Sequence, residues 1–143
     1  MFRGEYSHSI DSKGRLIIPS KLRTALGDSF VLTKGLDECL MAYNTEEWDI
    51  FEGKLKELPL TNKNARKLIR HFSGGASDIE TDSQGRALIP TNLREYAGLA
   101  KEAVLVGMGN RIEIWSKDRY ETEGTYDDLD EIVHSLEDMG LSI

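Results

Sequence analysis

Asp11-Ser12-Lys13-Gly14-Arg15-Leu16-Ile17-Ile18-Pro19-Ser20-Lys21-Leu22-Arg23 returns 71 residues later as Asp82-Ser83-Gln84-Gly85-Arg86-Ala87-Leu88-Ile89-Pro90-Thr91-Asn92-Leu93-Arg94, with eight of the thirteen positions identical. At average residue usage about one match would arise by chance, so the chain reads as a tandem duplication. The likeness continues more weakly: Phe30-Val31-Leu32-Thr33 resembles Ala103-Val104-Leu105-Val106, and Leu40 to Asn44 resembles Ile112 to Ser116. In each copy Asp-Ser-x-Gly suits a tight hairpin turn, formed by Asp11 and Gly14 or by Asp82 and Gly85, with the glycine at positive φ. The Ile-Pro step keeps the chain extended. Ser20 or Thr91 is then placed to cap a short helix that ends at Gly27 or Gly98. Two strands follow in each copy, roughly Phe30 to Lys34 with Cys39 to Tyr43, and Ala103 to Met108 with Arg111 to Trp115.

Between the copies, Asn44-Thr45-Glu46-Glu47 has the form of a capping box that opens a helix. Trp48, Phe51, Leu55 and Leu58 form its apolar stripe, and Pro59 ends it. A second helix is expected from about Asn62 to Phe72. Ala65, Leu68, Ile69 and Phe72 would face inward there, and Lys63, Arg66, Lys67 and Arg70 outward. Near the C-terminus Leu129, Ile132, Val133 and Leu136 space as an amphipathic helix with an acidic outer face. That stripe needs a partner surface. A four-strand unit of about 45 residues buries too little surface to be stable alone, so two such units should close edge against edge around one core. The expected fold is mostly β with peripheral helices: a pseudo-twofold barrel built within one chain. Its parts are a first repeat over 5–47, a helical connector over 48–75, a second repeat over 76–119 and an acidic helical tail over 120–143.

A chain of 143 residues with 39% hydrophobic and 30% charged residues is too apolar for wholesale disorder and long enough for one real core. No apolar run approaches the ~18 residues needed to cross a bilayer, and no apolar segment follows Arg3, so no membrane association and a cytoplasmic location are expected. The net charge of −7 would by itself argue against a polyanionic partner. The charge is uneven, however. Residues 1–35 carry a net +3 and residues 61–75 a net +4, whereas 36–60 carry −5 and 118–143 carry −8. Basic surfaces can therefore form away from the acidic segments.

Enzyme chemistry finds little support. Cys39 is the single cysteine, which excludes an intrachain disulfide and a multi-thiolate zinc site. His8, His71 and His134 are scattered without metal-ligand spacing, so neither metal nor cofactor is expected. Gly107-Met108-Gly109-Asn110 suits a hairpin turn better than a phosphate cradle, because a strand follows it. A dyad of Asp11 and Asp82 would need a substrate cleft for which the chain is short. No small-molecule substrate is legible.

The paired Asp-x-x-x-Arg motifs, each followed by Ile-Pro-x-x-Leu-Arg, together with the opening Phe2-Arg3-Gly4, resemble the MraZ family of bacterial transcriptional regulators over nearly the whole chain. The resemblance implies a fused pair of the swapped-hairpin domains found in AbrB-type regulators, assembled as a ring-shaped homo-oligomer. It also implies binding to short double-stranded promoter repeats, location at the nucleoid, and repression of the division and cell-wall gene cluster including the protein's own promoter. One departure stands out: Lys13 corresponds to Gln84 and Lys21 to Asn92, so the second repeat lacks two cations.

The residues suggest how such binding would work. An arginine leaving a tight turn presents a planar fork of donors to phosphate or to a guanine edge. Arg15 with Lys13 is the first candidate for a DNA contact, and Arg3 joins it if the N-terminal segment lies on the same edge. Lys21 and Arg23 are candidate phosphate anchors, with Arg86 and Arg94 as lesser counterparts. The competing reading is that Asp11 with Arg15, and Asp82 with Arg86, simply brace their hairpins. A few cationic contacts per subunit bind weakly at physiological salt, and several subunits meeting several repeats would restore affinity. The alternative class is a protein-interaction module of the same fold, antitoxin-like or purely an assembly protein.

Overall fold

The computed structural model describes residues 1–124 and 128–142. In chain order the elements are β1 (Glu5–Ser9), β2 (Arg15–Ile17), α1 (Ser20–Leu26), β3 (Ser29–Lys34), β4 (Leu40–Tyr43), α2 (Thr45–Lys56), α3 (Lys63–Phe72), β5 (Ser77–Glu80), β6 (Arg86–Leu88), α4 (Thr91–Ala97), β7 (Glu102–Gly107), β8 (Ile112–Ser116), α5 (Lys117–Glu123) and α6 (Leu129–Glu137). Residues 125–127 and 143, which belong to the expected acidic tail, lie outside the described residues.

The strands exchange between the repeats. β1 pairs antiparallel with β7 of the other copy, Tyr6 opposite Leu105, while β5 pairs with β3, Phe30 opposite Ile79. β4 and β8 meet in the middle with Leu40 opposite Ile114. The result is one six-stranded antiparallel sheet in the order β1-β7-β8-β4-β3-β5, which reads the same when the copies are interchanged. β2 and β6 form a separate two-stranded ribbon, Leu16 opposite Ala87.

Among the described residues no continuous ladder joins the ribbon to the six-stranded sheet. Ribbon and sheet are joined by single bridges, Ile10 to Leu16 and Thr81 to Ala87. The physical reason lies in Pro19 and Pro90, which follow the three-residue ribbon strands closely and have no N–H to extend a ladder.

Period-two alternation decides what each strand buries. On β3 and β4, Phe30, Leu32, Leu40 and Ala42 face a core shared with Ala103, Leu105, Ile112 and Ile114 of the second copy. Leu16 and Ala87 seal it from the ribbon, and Leu22, Leu26, Leu93 and Ala97 from α1 and α4. The opposite face of β3 and β4 presents Val31, Met41 and Tyr43 to Trp48, Leu55 and Phe72 of α2 and α3. Phe51 stacks on Tyr43 at 5.1 Å between centroids, and the Thr33 hydroxyl donates to Phe72 O at 2.6 Å.

The connector helices start where the sequence indicates. Asn44 Oδ1 accepts from Glu47 N at 2.8 Å and Asn62 Oδ1 from Ala65 N at 3.1 Å, each satisfying an N–H that the helix leaves free. Three local expectations are corrected. Leu68 is 43% exposed, because α3 buries the face through Ala65 and Phe72 that lies against β3. Ser20 and Thr91 are the first helical residues and do not cap: Pro19 and Pro90 occupy the N-cap positions. Cys39 lies just ahead of β4, donating its thiol to Leu36 O at 3.1 Å. α6 forms, with none of its residues buried and Leu129 61% exposed.

The two turn glycines meet a double requirement. Gly14 and Gly85 have φ of 83° and 77°, the region an L side chain avoids. A Cβ on Gly14 would lie 2.6 Å from Arg94 Cζ, and one on Gly85 would lie 1.4 Å from Arg23 Nη1. Each turn is thus roofed by an arginine from the other repeat. Gly85→Ala is expected to destabilise the protein by about 1–2 kcal/mol in urea denaturation, and nearly as much in an Arg23→Ala background. The backbone φ sets this cost, since an arginine tip can move aside.

Burial pushes the Cys39 thiol up to about 12, with Glu113 and Asp37 adding to the effect. Thiol labelling at pH 8 should therefore be very slow in the folded protein and fast once it is unfolded. Fast labelling of the native state would contradict this placement.

Candidate nucleic-acid interface

Each Asp-x-x-x-Arg motif folds into the same closed network. Asp11 Oδ1 accepts from the backbone N–H of Lys13 at 3.0 Å and of Arg15 at 2.9 Å, while Oδ2 accepts from Arg15 Nε at 2.7 Å. Gly14 N donates back to Asp11 O, and Asp11 N to Arg15 O, which closes the turn. Asp82 does the same with Gln84 N, Arg86 N and Arg86 Nε at 2.9, 2.9 and 2.7 Å. The bracing ion pairs therefore form in both copies. They consume only Nε, and among the described residues the two Nη groups of Arg15 and of Arg86 have no hydrogen-bond partner.

These networks meet at the ribbon. Arg15 stands opposite Leu88 and Ile17 opposite Arg86. Leu16 and Ala87 point into the core, so the outer face carries Arg15, Ile17, Arg86 and Leu88. Gly85 O accepts from Ile18 N at 2.9 Å and Gly14 O from Ile89 N at 3.0 Å, locking each turn to the far end of the other ribbon strand. Lys13 is exposed on the first turn and Lys21 on α1, neither in an ion pair among the described residues.

Arg23 and Arg94 diverge. Arg94 donates Nε to Ile89 O at 2.9 Å and Nη2 to Thr91 Oγ1 at 3.1 Å, so it is tied down as it covers Gly14. Arg23 covers Gly85 without a hydrogen bond or ion pair among the described residues, beside a small cleft lined also by Asp28 and Ser83.

Arg3 does not join this group. The backbone of Phe2 bridges Gly109, and Arg3 lies against Gly107, at the opposite end of β1 from Asp11. Eight residue steps, most of them in extended β1, lead from residue 3 to residue 11, a span of up to about 27 Å. Period-two extension thus carries Arg3 away from the ribbon.

Sequence reasoning missed two features of the site. The first is the exposure of Ile17 and Leu88 beside the arginines, 43% and 55%. Strict alternation about the buried Leu16 and Ala87 was the signal that could have revealed it. The second is the seating of Arg23 and Arg94 across the pseudo-twofold axis, which no pattern within one repeat encodes. The histidines stay apart: His71 Nε2 lies 2.8 Å from Gly35 O and packs edge-on against Phe72 and Tyr96. Among the described residues there is no group of three or more His, Cys, Asp or Glu that could hold a metal ion, and no helix is long and apolar enough to cross a membrane.

Fold and site together define a class: a duplicated β protein whose two copies interlock and bring their Asp–Arg turns to a shared two-stranded ribbon. Comparison with known proteins gives the family. The family model described as "MraZ protein, putative antitoxin-like" matches twice, over residues 1–71 and 72–131. The chain is 53% identical over 143 residues to the transcriptional regulator MraZ of Alkaliphilus oremlandii, covering 99% of this chain and 100% of that protein. It is 56% identical over 142 residues to the protein of the same name from Lachnoclostridium phytofermentans, covering 99% of each. For the Clostridium beijerinckii protein, also of that name, identity is 53% over 142 residues, covering 99% of this chain and 100% of that protein. The chain belongs to the MraZ family.

The Asp11 carboxyl is held below the ordinary aspartate value of 3.8, chiefly by the backbone N–H of Arg15, with the Arg15 guanidinium and Lys13 N–H adding to it and partial desolvation opposing. Asp82 is lowered in the same way by Arg86 and Gln84. A depressed folded pKa gives a stabilising contribution that is complete at neutral pH, and is lost as pH falls through the folded value. Side-chain carboxyl NMR titration should place both midpoints below 3.8. Loss of the Arg15 and Arg86 Nε–H contacts should follow the same protonation. Midpoints at or above the ordinary value would contradict the network.

Proposed function

We propose that this protein is a sequence-specific DNA-binding regulator of transcription, with the β2–β6 ribbon and its two turns as the contact surface. The observation that carries the proposal is the ribbon itself: two arginine forks, each oriented by an aspartate at 2.7 Å, on one outer face with Lys13 beside them. A two-stranded ribbon fits the major groove, and an arginine whose Nε is fixed offers its Nη pair to a guanine edge or a phosphate. Lys13, Arg15, Lys21 and Arg23 form the stronger half of this surface. Arg86 and Arg94 are the weaker half, because Gln84 and Asn92 replace two lysines and Arg94 is already hydrogen-bonded. Arg3 is outside it.

In this reading the two interlocked repeats are an intramolecular AbrB-like swapped-hairpin unit, a barrel closed by the two single bridges. Subunits assemble as a ring-shaped homo-oligomer on short promoter repeats. The regulated genes are the division and cell-wall cluster, with repression that includes the protein's own promoter, at the nucleoid in the cytoplasm. The relatives' name as transcriptional regulators supports the regulatory role. The acidic tail and the 36–60 segment would then face away from the phosphates or against neighbouring subunits.

The test is a gel-shift titration on the duplex upstream of the protein's own gene. Lys13→Ala with Arg15→Ala should leave the solution mass unchanged. Affinity should fall at least about tenfold, and the slope of log affinity against log salt should shrink by roughly 1–2. Unchanged affinity and salt slope would reject the surface. Salt-independent or absent DNA retention by the wild type would favour a protein-interaction module.

A further inference from the structure

The outer face of the ribbon is not purely cationic. Ile17 and Leu88, 43% and 55% exposed, occupy two corners of a quadrilateral whose other corners are Arg86 and Arg15. Strand spacing of about 4.8 Å and a two-residue rise of about 6.8 Å set its sides, so the apolar corners are roughly 8 Å apart on the diagonal. The two positions are related by the duplication. The copies differ at several neighbouring positions, Lys13 against Gln84, Leu16 against Ala87 and Lys21 against Asn92, yet each places a branched aliphatic side chain at this outward site.

An aliphatic group held among cations suits a surface that presents small apolar knobs inside a field of negative charge. The major groove of DNA is such a surface. The C5-methyl of thymine is its apolar feature, and the guanine O6 and N7 beside it are the acceptors an arginine fork takes. A protein partner with an apolar face would bury four Nη groups that have no partner among the described residues, at a desolvation cost.

We propose that Ile17 and Leu88 are specificity-determining residues that read thymine methyl groups, while Arg15 and Arg86 contact adjacent guanines or phosphates. The inference rests on the DNA-binding reading above and deepens it. With a base-pair rise of 3.4 Å, the diagonal places the two methyl contacts about two to three steps apart. The braced Asp–Arg turns fix the ribbon's distance from the bases, so a methyl-sized gap cannot be closed by a shift of the arginines.

The test removes the methyls without touching the protein. The duplex upstream of the protein's own gene is amplified once with dTTP and once with dUTP, which replaces each newly made thymine by uracil. Wild type is expected to bind the uracil duplex at least about fourfold more weakly, the effect of withdrawing one buried methyl-sized group from contact. Ile17→Ala/Leu88→Ala should bind both duplexes equally, at the wild-type level for uracil DNA. Leu68→Ala, an exposed apolar position on α3, should keep the thymine preference.

Circular dichroism melting and solution mass of the variants should match wild type, because both ribbon side chains are exposed. Salt-dependent binding that is equal on the two duplexes would overturn the methyl inference and leave DNA binding standing. Retention of the thymine preference by the double variant would also overturn it, as would a change of its solution mass, which would mark the face as a protein contact. Binding to neither duplex would remove the DNA reading and this inference together.

Discussion

β1 and β5 complete the sheet of the other repeat, and everything else in the molecule follows from that exchange. Tyr6 lies opposite Leu105 and Phe30 opposite Ile79, so each repeat's own two-strand ladder is extended by a strand of the other. The shared core shows the same dependence, with Phe30, Leu32 and Leu40 packed together with Leu105, Ile112 and Ile114. Cross-repeat pairing also explains how a unit of about 45 residues escapes the marginal stability of small domains, since two units bury one another's edges.

The exchange has a consequence at the ribbon. Once β1 and β5 have crossed, the turns that follow them arrive at the pseudo-twofold axis side by side, and β2 and β6 pair there. The arginines then divide into two kinds. Arg15 and Arg86 are oriented by their own turn aspartates through Nε, and among the described residues their Nη groups have no hydrogen-bond partner. Arg23 and Arg94 cross the axis to cover the opposite glycines, so they connect the repeats as well as adding positive charge. Among the described residues Arg23 has no hydrogen-bond partner whereas Arg94 is hydrogen-bonded, and the second copy also carries Gln84 and Asn92 where the first has Lys13 and Lys21. In both respects the first repeat keeps the more available cations.

The helices break the symmetry of the sheet. α2 and α3 cover the outer face of β3 and β4 through Trp48, Phe51, Leu55 and Phe72. The corresponding face of β7 and β8 is met by α5, where Trp115 packs on Tyr120 at 5.6 Å. Tyr120 donates its hydroxyl to the Glu5 carboxylate, tying α5 to the first strand. Burial, then that hydrogen bond, pushes the tyrosine up to about 12, so the link survives across the neutral range. α6 has no buried residue, with Leu129 and Leu136 exposed and Ile132 and Val133 half-buried, whereas α3 packs on the first repeat through Ala65 and Phe72 and leaves Lys63, Lys67 and Arg70 exposed.

Much of this was legible in the sequence because it depends on neighbours. The Asp-x-x-Gly turns, the strands at residues 30–34 and 103–108, and the Asn44 cap each rest on contacts within a few residues, and the duplication announced a two-fold arrangement. Leu68 was misjudged because helical spacing gives a stripe without saying which edge of it meets β3. Arg3 was placed with the ribbon only on the condition that the N-terminal segment share its edge, and the intervening β1 sets it at the far end of that strand. The sequence by itself determined the repeated units, their turns and the residues able to carry positive charge. Tertiary structure alone decided that Arg23 and Arg94 roof each other's turns, and that Ile17 and Leu88 stand outward between two arginines. Those outcomes depend on contacts between residues some 70 positions apart, and short-range periodicity holds no record of such pairings.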